Sequence, residues 1–302
     1  MHGDHCDGIV ELLKKYSQAQ LYISQINLLE TFRNLIKFQH PNLKFSGWTK
    51  GQKLYEYLSQ NPQRTIIGLK EGDSIPFTDD IRLNVLYPSK ECIKYFDVNY
   101  QEELDKLTEK VNDIETKKDL NPSTVLKIDF SKNFNSHSVV IEALSKEYNS
   151  IYLADLEFEK VRGLDYVLEK VRENGTEFNV FKVPHHGSKT SFNKTKWEQV
   201  LAKPYKDQFF KLSCWKMGVN FLPEKEIIAV MSEITKNIFC TGDPQPSTVK
   251  INNATKKYYN NPKLNFLVAA PIFGSIAINY DDSLEQMSLD VHKPAVHFSE
   301  LH

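Results

Sequence analysis

Hydrophobic positions recur along this chain at two distinct periods. Ile9, Leu12, Leu13 and Tyr16 fall at helical spacing, as do Leu28, Phe32, Leu35 and Ile36, so two amphipathic helices are predicted on either side of a short buried strand at Leu21–Ile23. A shorter helix is predicted between Leu54 and Leu58. The period then changes. Thr65–Leu69, a turn at Glu71-Gly72-Asp73, and Ile81–Leu86 predict a strand pair that ends at Pro88. From residue 89 to 122 the chain is charged and poor in large apolar residues, with Leu104, Leu107 and Val111 as its helical stripe, and a surface helical insertion is expected. Strands resume at Val125–Phe130, Ser138–Ile141 and Ile151–Leu153, each rich in β-branched or aromatic side chains. Val161, Leu164, Leu168 and Val171 mark a helix before the next strand, Phe178–Val183. A helix at Lys225–Ile234, a strand at Asn237–Cys240 and two core strands within Phe266–Ile278 complete the pattern. Helices alternating with strands in this way predict an α/β fold, a β-sandwich with helices on its outer faces.

Composition narrows the picture only a little. With 302 residues, 40% hydrophobic and 25% charged, the chain suits one large domain or two small ones. Residues 1–222 are expected to form the main domain and 223–302 to complete or extend it. A net charge of −1 gives no global pull toward nucleic acid or membrane. The four cysteines, Cys6, Cys92, Cys214 and Cys240, lie far apart, so neither a disulfide framework nor a cysteine zinc knuckle is indicated. The longest apolar run, Phe266–Ile278, is too short for a bilayer and is interrupted by Pro271 and Gly274. No signal peptide is visible, and a cytoplasmic location is expected.

Candidate chemistry gathers at three places. His2, Asp4 and His5 sit within four positions, too close for one helical face but suited to a loop that turns several donors toward one centre. Imidazole and carboxylate are ligands for zinc, manganese and iron. Cys6, inside that loop, reads as a small packed residue. Further on, the strand Ile151–Leu153 runs into Asp155 and Glu157, and a buried strand that terminates in carboxylates needs water, a cation or a helix N-terminus to receive them. Capping of the following helix would account for Glu157 or Glu159, a metal for Asp155. The strand Phe178–Val183 ends on Pro184-His185-His186-Gly187-Ser188, where one imidazole can hold a metal while its neighbour faces a substrate.

Taken together these segments resemble the metallo-β-lactamase superfamily. Its signature, His-x-His-x-Asp-His with a Gly three positions on, is matched from its second His onward by His2, Asp4, His5 and Gly8. The first His would fall one position before Met1, so the chain is expected to begin inside the domain, with the N-terminal strands missing. The Pro-His-His-Gly-Ser segment resembles a subgroup that includes the hydrolase domain of bacterial DNA-uptake (competence) channel proteins and the phosphorylcholine esterases. Asn135-Ser136-His137-Ser138 is similar to the Asn-x-x-Ser segment of that subgroup. The resemblance implies an αββα sandwich and a dinuclear zinc or manganese site. His2, His137 and Asp155 would hold the first ion, and Asp4, His5, Asp155 and His186 the second. Asp155 would bridge the two, and a hydroxide acidified by both cations would be the nucleophile. Glu157 and His185 would orient ligands or donate a proton to the leaving oxygen, with Asp4 beside the nucleophile. For His137 a hydrogen bond at the strand edge is the competing expectation, and Asp243 competes with Asp155 for the bridge.

The implied activity is phosphate-ester hydrolysis, as a phosphodiesterase or nuclease. Between residues 182 and 216 lie Lys182, Lys189, Lys194, Lys196, Lys203, Lys206, Lys211 and Lys216, with Glu198 and Asp207 as the acids. Phe192, Trp197, Tyr205, Phe209, Phe210 and Trp215 are interleaved. Cations with rings beside a metal site suit single-stranded nucleic acid, whereas a solvated lysine face over core aromatics is the plainer meaning. The alternative function is a catalytically impaired domain that acts as a binding or interaction module.

Overall fold

The computed structural model describes residues 8–37, 43–46, 49–116, 126–129, 135–146, 148–158, 163–201, 208–213, 215–217, 220–240, 265–269, 275–281, 286–292 and 295–297. It is of the α/β class, in two compact units. One comprises Met1–Ile75 with Asn84–Val139, the other Pro76–Leu83 with Val140–His302.

The first unit runs α1 (Ile9–Lys15), β1 (Leu21–Ser24), α2 (Glu30–Lys37), β2 (Leu43–Ser46), α3 (Thr49–Gln60), β3 (Ile66–Leu69), β4 (Ser74–Ile75), β5 (Arg82–Tyr87), α4 (Lys90–Thr116) and β6 (Leu126–Asp129). β1 pairs with β3 and β2 with β6, both in parallel. The strand pair expected between 65–69 and 81–86 is drawn differently: β5 neighbours the two-residue β4, with Val85 N donating to Asp73 O at 2.8 Å. The cause is the turn at Gly72, whose φ of 88° folds residues 71–75 back onto 84–88 and leaves β3 to β1. Leu13, Leu21, Ile23, Leu54 and Leu58 form one apolar cluster that joins α1, β1 and α3. Arg64 closes the end of α1 by donating from Nη2 to Leu13 O in its last turn and from Nη1 to Ala19 O in the loop beyond it.

α4 is longer and less peripheral than its charge suggests. Cys92, Phe96, Tyr100 and Leu107 are all buried on one face of this helix, with the charged residues on the other. The expected surface insertion is therefore in part a core element, because three of those four residues precede the stripe that marked the helix in the sequence.

The second unit comprises β7 (Val140–Leu144), β8 (Asn149–Tyr152), α5 (Leu164–Asn174), β9 (Val180–Lys182), α6 (Lys194–Trp197), β10 (Phe209–Leu212), β11 (Trp215–Met217), β12 (Asn220–Leu222), α7 (Lys225–Ile234), β13 (Asn237–Cys240), β14 (Asn265–Ala269), β15 (Ser275–Asp281), β16 (Gln286–His292) and β17 (Ala295–His297). Its mixed sheet has the order β17-β14-β13-β10-β9-β8-β7. The five inner strands, β8, β9, β10, β13 and β14, are parallel, and an antiparallel strand lies at either side of them. Parallel strands are covered on both faces, which is why β9 and β10 read as apolar runs. Phe181 and Phe210 are fully buried with Trp197, their rings 5.4–6.2 Å apart in edge-to-face contacts. α5 lays Leu164, Val167, Leu168 and Val171 into the core and stops at Gly175 in the left-handed conformation.

Candidate active site

Because β8, β9 and β10 are adjacent and parallel, their C-terminal ends open at the same edge of the sheet. Asp155 follows β8, His185 and His186 follow β9, and Ser213 follows β10. Such carboxyl ends are where open α/β sheets collect ligands.

The backbone there is held in an uncommon shape. Among the described residues the non-glycine positions with positive φ are Ala154 (48°), His185 (44°) and His186 (54°). A left-handed backbone costs an L-residue about 1–2 kcal/mol, and strain of this kind concentrates where geometry serves a site. His185 N donates to Ala154 O at 3.0 Å, so the two strained turns brace each other. Gly187 follows with φ 78°, and a Cβ there would meet Leu212 Cδ2 at 2.7 Å and Pro223 Cβ at 2.9 Å. Only glycine fits that position.

The two histidines make different contacts. His186 Nδ1 lies 3.1 Å from Ser213 O and 2.9 Å from Ser213 Oγ, while its Nε2 faces Asp155 Oδ1 at 3.7 Å. A carbonyl can only accept, so Nδ1 carries the hydrogen and Nε2 is the nitrogen turned toward the Asp155 carboxylate. An imidazole nitrogen and a carboxylate so placed can hold a cation or a proton between them. The separation exceeds a hydrogen bond, yet it is near the roughly 3.3 Å between ligands that share a tetrahedral ion at about 2.0–2.1 Å each. His185 instead sets Nδ1 2.7 Å from Glu157 Oε1, and Thr190 Oγ1 donates to the same oxygen. This second pair is the more open: the His185 and Glu157 side chains are 24% and 19% exposed, against 11% and 9% for His186 and Asp155. A carboxylate on one imidazole nitrogen leaves the other to exchange a proton with a substrate. The Glu157 side chain meets His185, while its carbonyl accepts from Leu164 N at 2.8 Å at the start of α5, whose N-cap Gly163 offers no side-chain cap.

Lys182 lies at the floor of the site, not on a solvated face. Its Nζ donates to Ser213 Oγ at 3.0 Å and Val183 O at 3.3 Å. Burial pushes the pKa of its ammonium below that of an ordinary lysine, and Asp155 opposes the shift.

Of the other residues expected at the site, His2, Asp4, His5, Cys6 and Asp243 lie outside the described residues. His137 belongs to the first unit and is engaged through both nitrogens. Nδ1 donates to Asn27 Oδ1 at 2.7 Å, Nε2 accepts from Tyr100 Oη, and Phe32 and Phe96 pack edge-on at 5.1 Å. A metal on His137 Nε2 would have to displace the Tyr100 hydroxyl, so this geometry favours the hydrogen-bonding expectation. Among the described residues no three His, Cys, Asp or Glu side chains form a metal-holding group.

In the lysine-rich segment, Lys189 meets Glu224 and Glu226 at 3.0 and 2.8 Å, Lys194 meets Glu233 at 2.6 Å, and Lys196 pairs with Asp165. Its aromatics Phe192, Trp197 and Phe210 are buried. Tyr205, Lys203 and Lys206 lie outside the described residues, as do the side chains of Trp215 and Lys216. Ser213 and Thr190 are the site residues that sequence reasoning missed. Ser213 was hidden because in the sequence Phe209 and Phe210 group with the lysine-rich segment rather than marking the strand that leads to it.

No helix among the described residues is long and apolar enough to cross a membrane. Compared with protein-family models and with curated proteins, the chain matches none.

Proposed function

We propose that this chain is a metal-dependent hydrolase of phosphate esters built on a metallo-β-lactamase-like αββα sandwich, with Asp155 and His186 among its metal ligands. The observation that carries this reading is the pair itself. Adjacent parallel strands end in a carboxylate and an imidazole 3.7 Å apart, with the imidazole's other nitrogen on Ser213. Asp155 and His186 fit a divalent zinc or manganese ion as two of its ligands. A bound ion supplies Lewis acidity toward a phosphoryl oxygen. His185, oriented by Glu157, holds the proton that the leaving oxygen takes up, and the strained turns keep both histidines at the mouth of the sheet. The carboxylate partners of Lys189, Lys194 and Lys196 favour a small phosphate ester over a nucleic-acid strand.

Metal content and hydrolysis of bis-nitrophenyl phosphate test this reading. Asp155→Ala is expected to lose metal and turnover together, and His185→Ala to keep the metal while losing turnover. Ester or lactam turnover without phosphodiester turnover would remove the phosphate assignment. A wild-type chain that binds no metal and turns over nothing would leave the binding-module alternative.

A further inference from the structure

The ladder between β9 and β10 pairs Val180 with Phe209 through Lys182 with Lys211, and it closes with Val183 N donating to Lys211 O at 2.8 Å. Beyond that bond the two chains part, one into the histidine turn and the other through Ser213. Lys182 Nζ spans the gap between them, holding Val183 O on its own chain and Ser213 Oγ on the other. Ser213 in turn offers both of its oxygens to His186 Nδ1.

We propose that Lys182 is a positioning residue for this site: it fixes the Ser213 hydroxyl and, through it, the ring of His186. The proposal rests on the reading of His186 as a metal ligand. A serine side chain has three staggered rotamers, and the one seen here directs Oγ to both Lys182 and His186. An ammonium can donate and never accept, so it selects the rotamer that turns an Oγ lone pair toward it. The carbonyl of Ser213 keeps the hydrogen on His186 Nδ1, and the anchored hydroxyl keeps the ring from swinging out of line with Asp155. Outer groups of this kind set metal affinity by orienting the ligand. Methionine at 182 would match the length of the lysine stem and lack the donor.

The test is a double-mutant cycle on zinc affinity in the full chain, read by competition with a chromophoric chelator and accompanied by thermal unfolding. Lys182→Met and Ser213→Ala are each expected to weaken zinc about ten-fold, and the double variant to bind no more weakly than the weaker single one. Unchanged affinity in Lys182→Met, or losses that multiply, would overturn the proposal. The state of the His186 ring in metal-free protein, read by long-range proton–nitrogen spectra, separates this idea from the metal reading. Both are expected to carry the hydrogen on Nδ1, held there by the Ser213 carbonyl, and Lys182→Met to show shifted and broadened ring signals as the ring loses its fixed orientation. Identical ring signals in the two proteins would refute the role of Lys182 whether or not zinc binds. A wild-type chain that takes no zinc, with those signals still changed, would sink the metal reading and leave Lys182 as the residue that orients His186.

Discussion

His137 and His186 are both buried imidazoles, yet their second nitrogens face different groups. His137 has an acceptor on Nδ1, a hydroxyl donor on Nε2 and aromatic edges around it. Everything a neutral ring can make, it makes inside its own unit. His186 also has its Nδ1 held, but its Nε2 is turned on a carboxylate oxygen at 3.7 Å, from a backbone that an L-residue rarely adopts. Burial alone therefore does not mark a candidate ligand. What the second nitrogen faces, and whether the chain is strained to aim it, distinguishes the two.

That contrast breaks most visibly on deletion. His137→Ala removes a packed ring and strands the Tyr100 hydroxyl and Asn27 amide oxygen, so a loss of about 3–5 kcal/mol in unfolding free energy is expected. His185→Ala, at the open end of the second unit, should cost about 1 kcal/mol or less. Denaturant titration of both variants checks this, and equal losses would mean that the His137 network is not what holds α4 to its neighbours. Gly187→Ala comes next. A left-handed φ and two contacts under 3.0 Å make a loss of about 2–4 kcal/mol the expectation, measured the same way.

The parts of this architecture that were legible in the sequence share one property: their signals are local. α7 and β13 fall at the residues their apolar periods mark, and α1 and β1 lie within one or two residues of theirs. Asp155 and the His185-His186 pair stood out because apolar strands rarely run into charged or imidazole groups. The partners of those residues were not legible. Ser213 and Lys182 acquire their roles only when β9 and β10 lie side by side, a pairing between residues about thirty positions apart that no local pattern encodes. The same holds for Asn27 and Tyr100 on either side of His137, which is why its hydrogen-bonded role could not be separated from metal ligation in advance. α4 misled for a different reason, since its buried face is carried by Phe96 and Tyr100 within a run dominated by charge.

The comparison also has a signature in pH. Burial pushes the pKa of His137 down to about 3, against about 6.5 for an ordinary imidazole. Below 6.5 the unfolded chain binds a proton that the folded one excludes, so the contribution of this residue is complete above that pH and is lost as pH falls toward 3. The expected cost between pH 7 and 5.5 is about 1 kcal/mol from this group, approaching a slope of about 1.4 kcal/mol per pH unit further down. His137→Gln should flatten the stability profile over that window. A variant that keeps the full acid sensitivity of wild type would place the responsible group elsewhere.

The smallest expected effect tests the strain on the other side of the comparison. Ala154 holds φ at 48° directly before Asp155, and its carbonyl accepts from His185 N. Glycine at 154 would adopt the same backbone without the Cβ clash, a relief of about 1–2 kcal/mol. Part of this is offset because glycine also frees the unfolded chain, by roughly 0.5–1 kcal/mol. Ala154→Gly is therefore expected to raise stability by roughly 0.5–1 kcal/mol, with zinc affinity unchanged because the accepting carbonyl remains in place. Denaturant unfolding with a parallel zinc titration reads both quantities. A loss of stability would show that the turn is not strained. A gain in stability with weaker zinc binding would show that the methyl group at 154 helps to hold Asp155 against His186, and the strain would then belong to the site rather than to the fold.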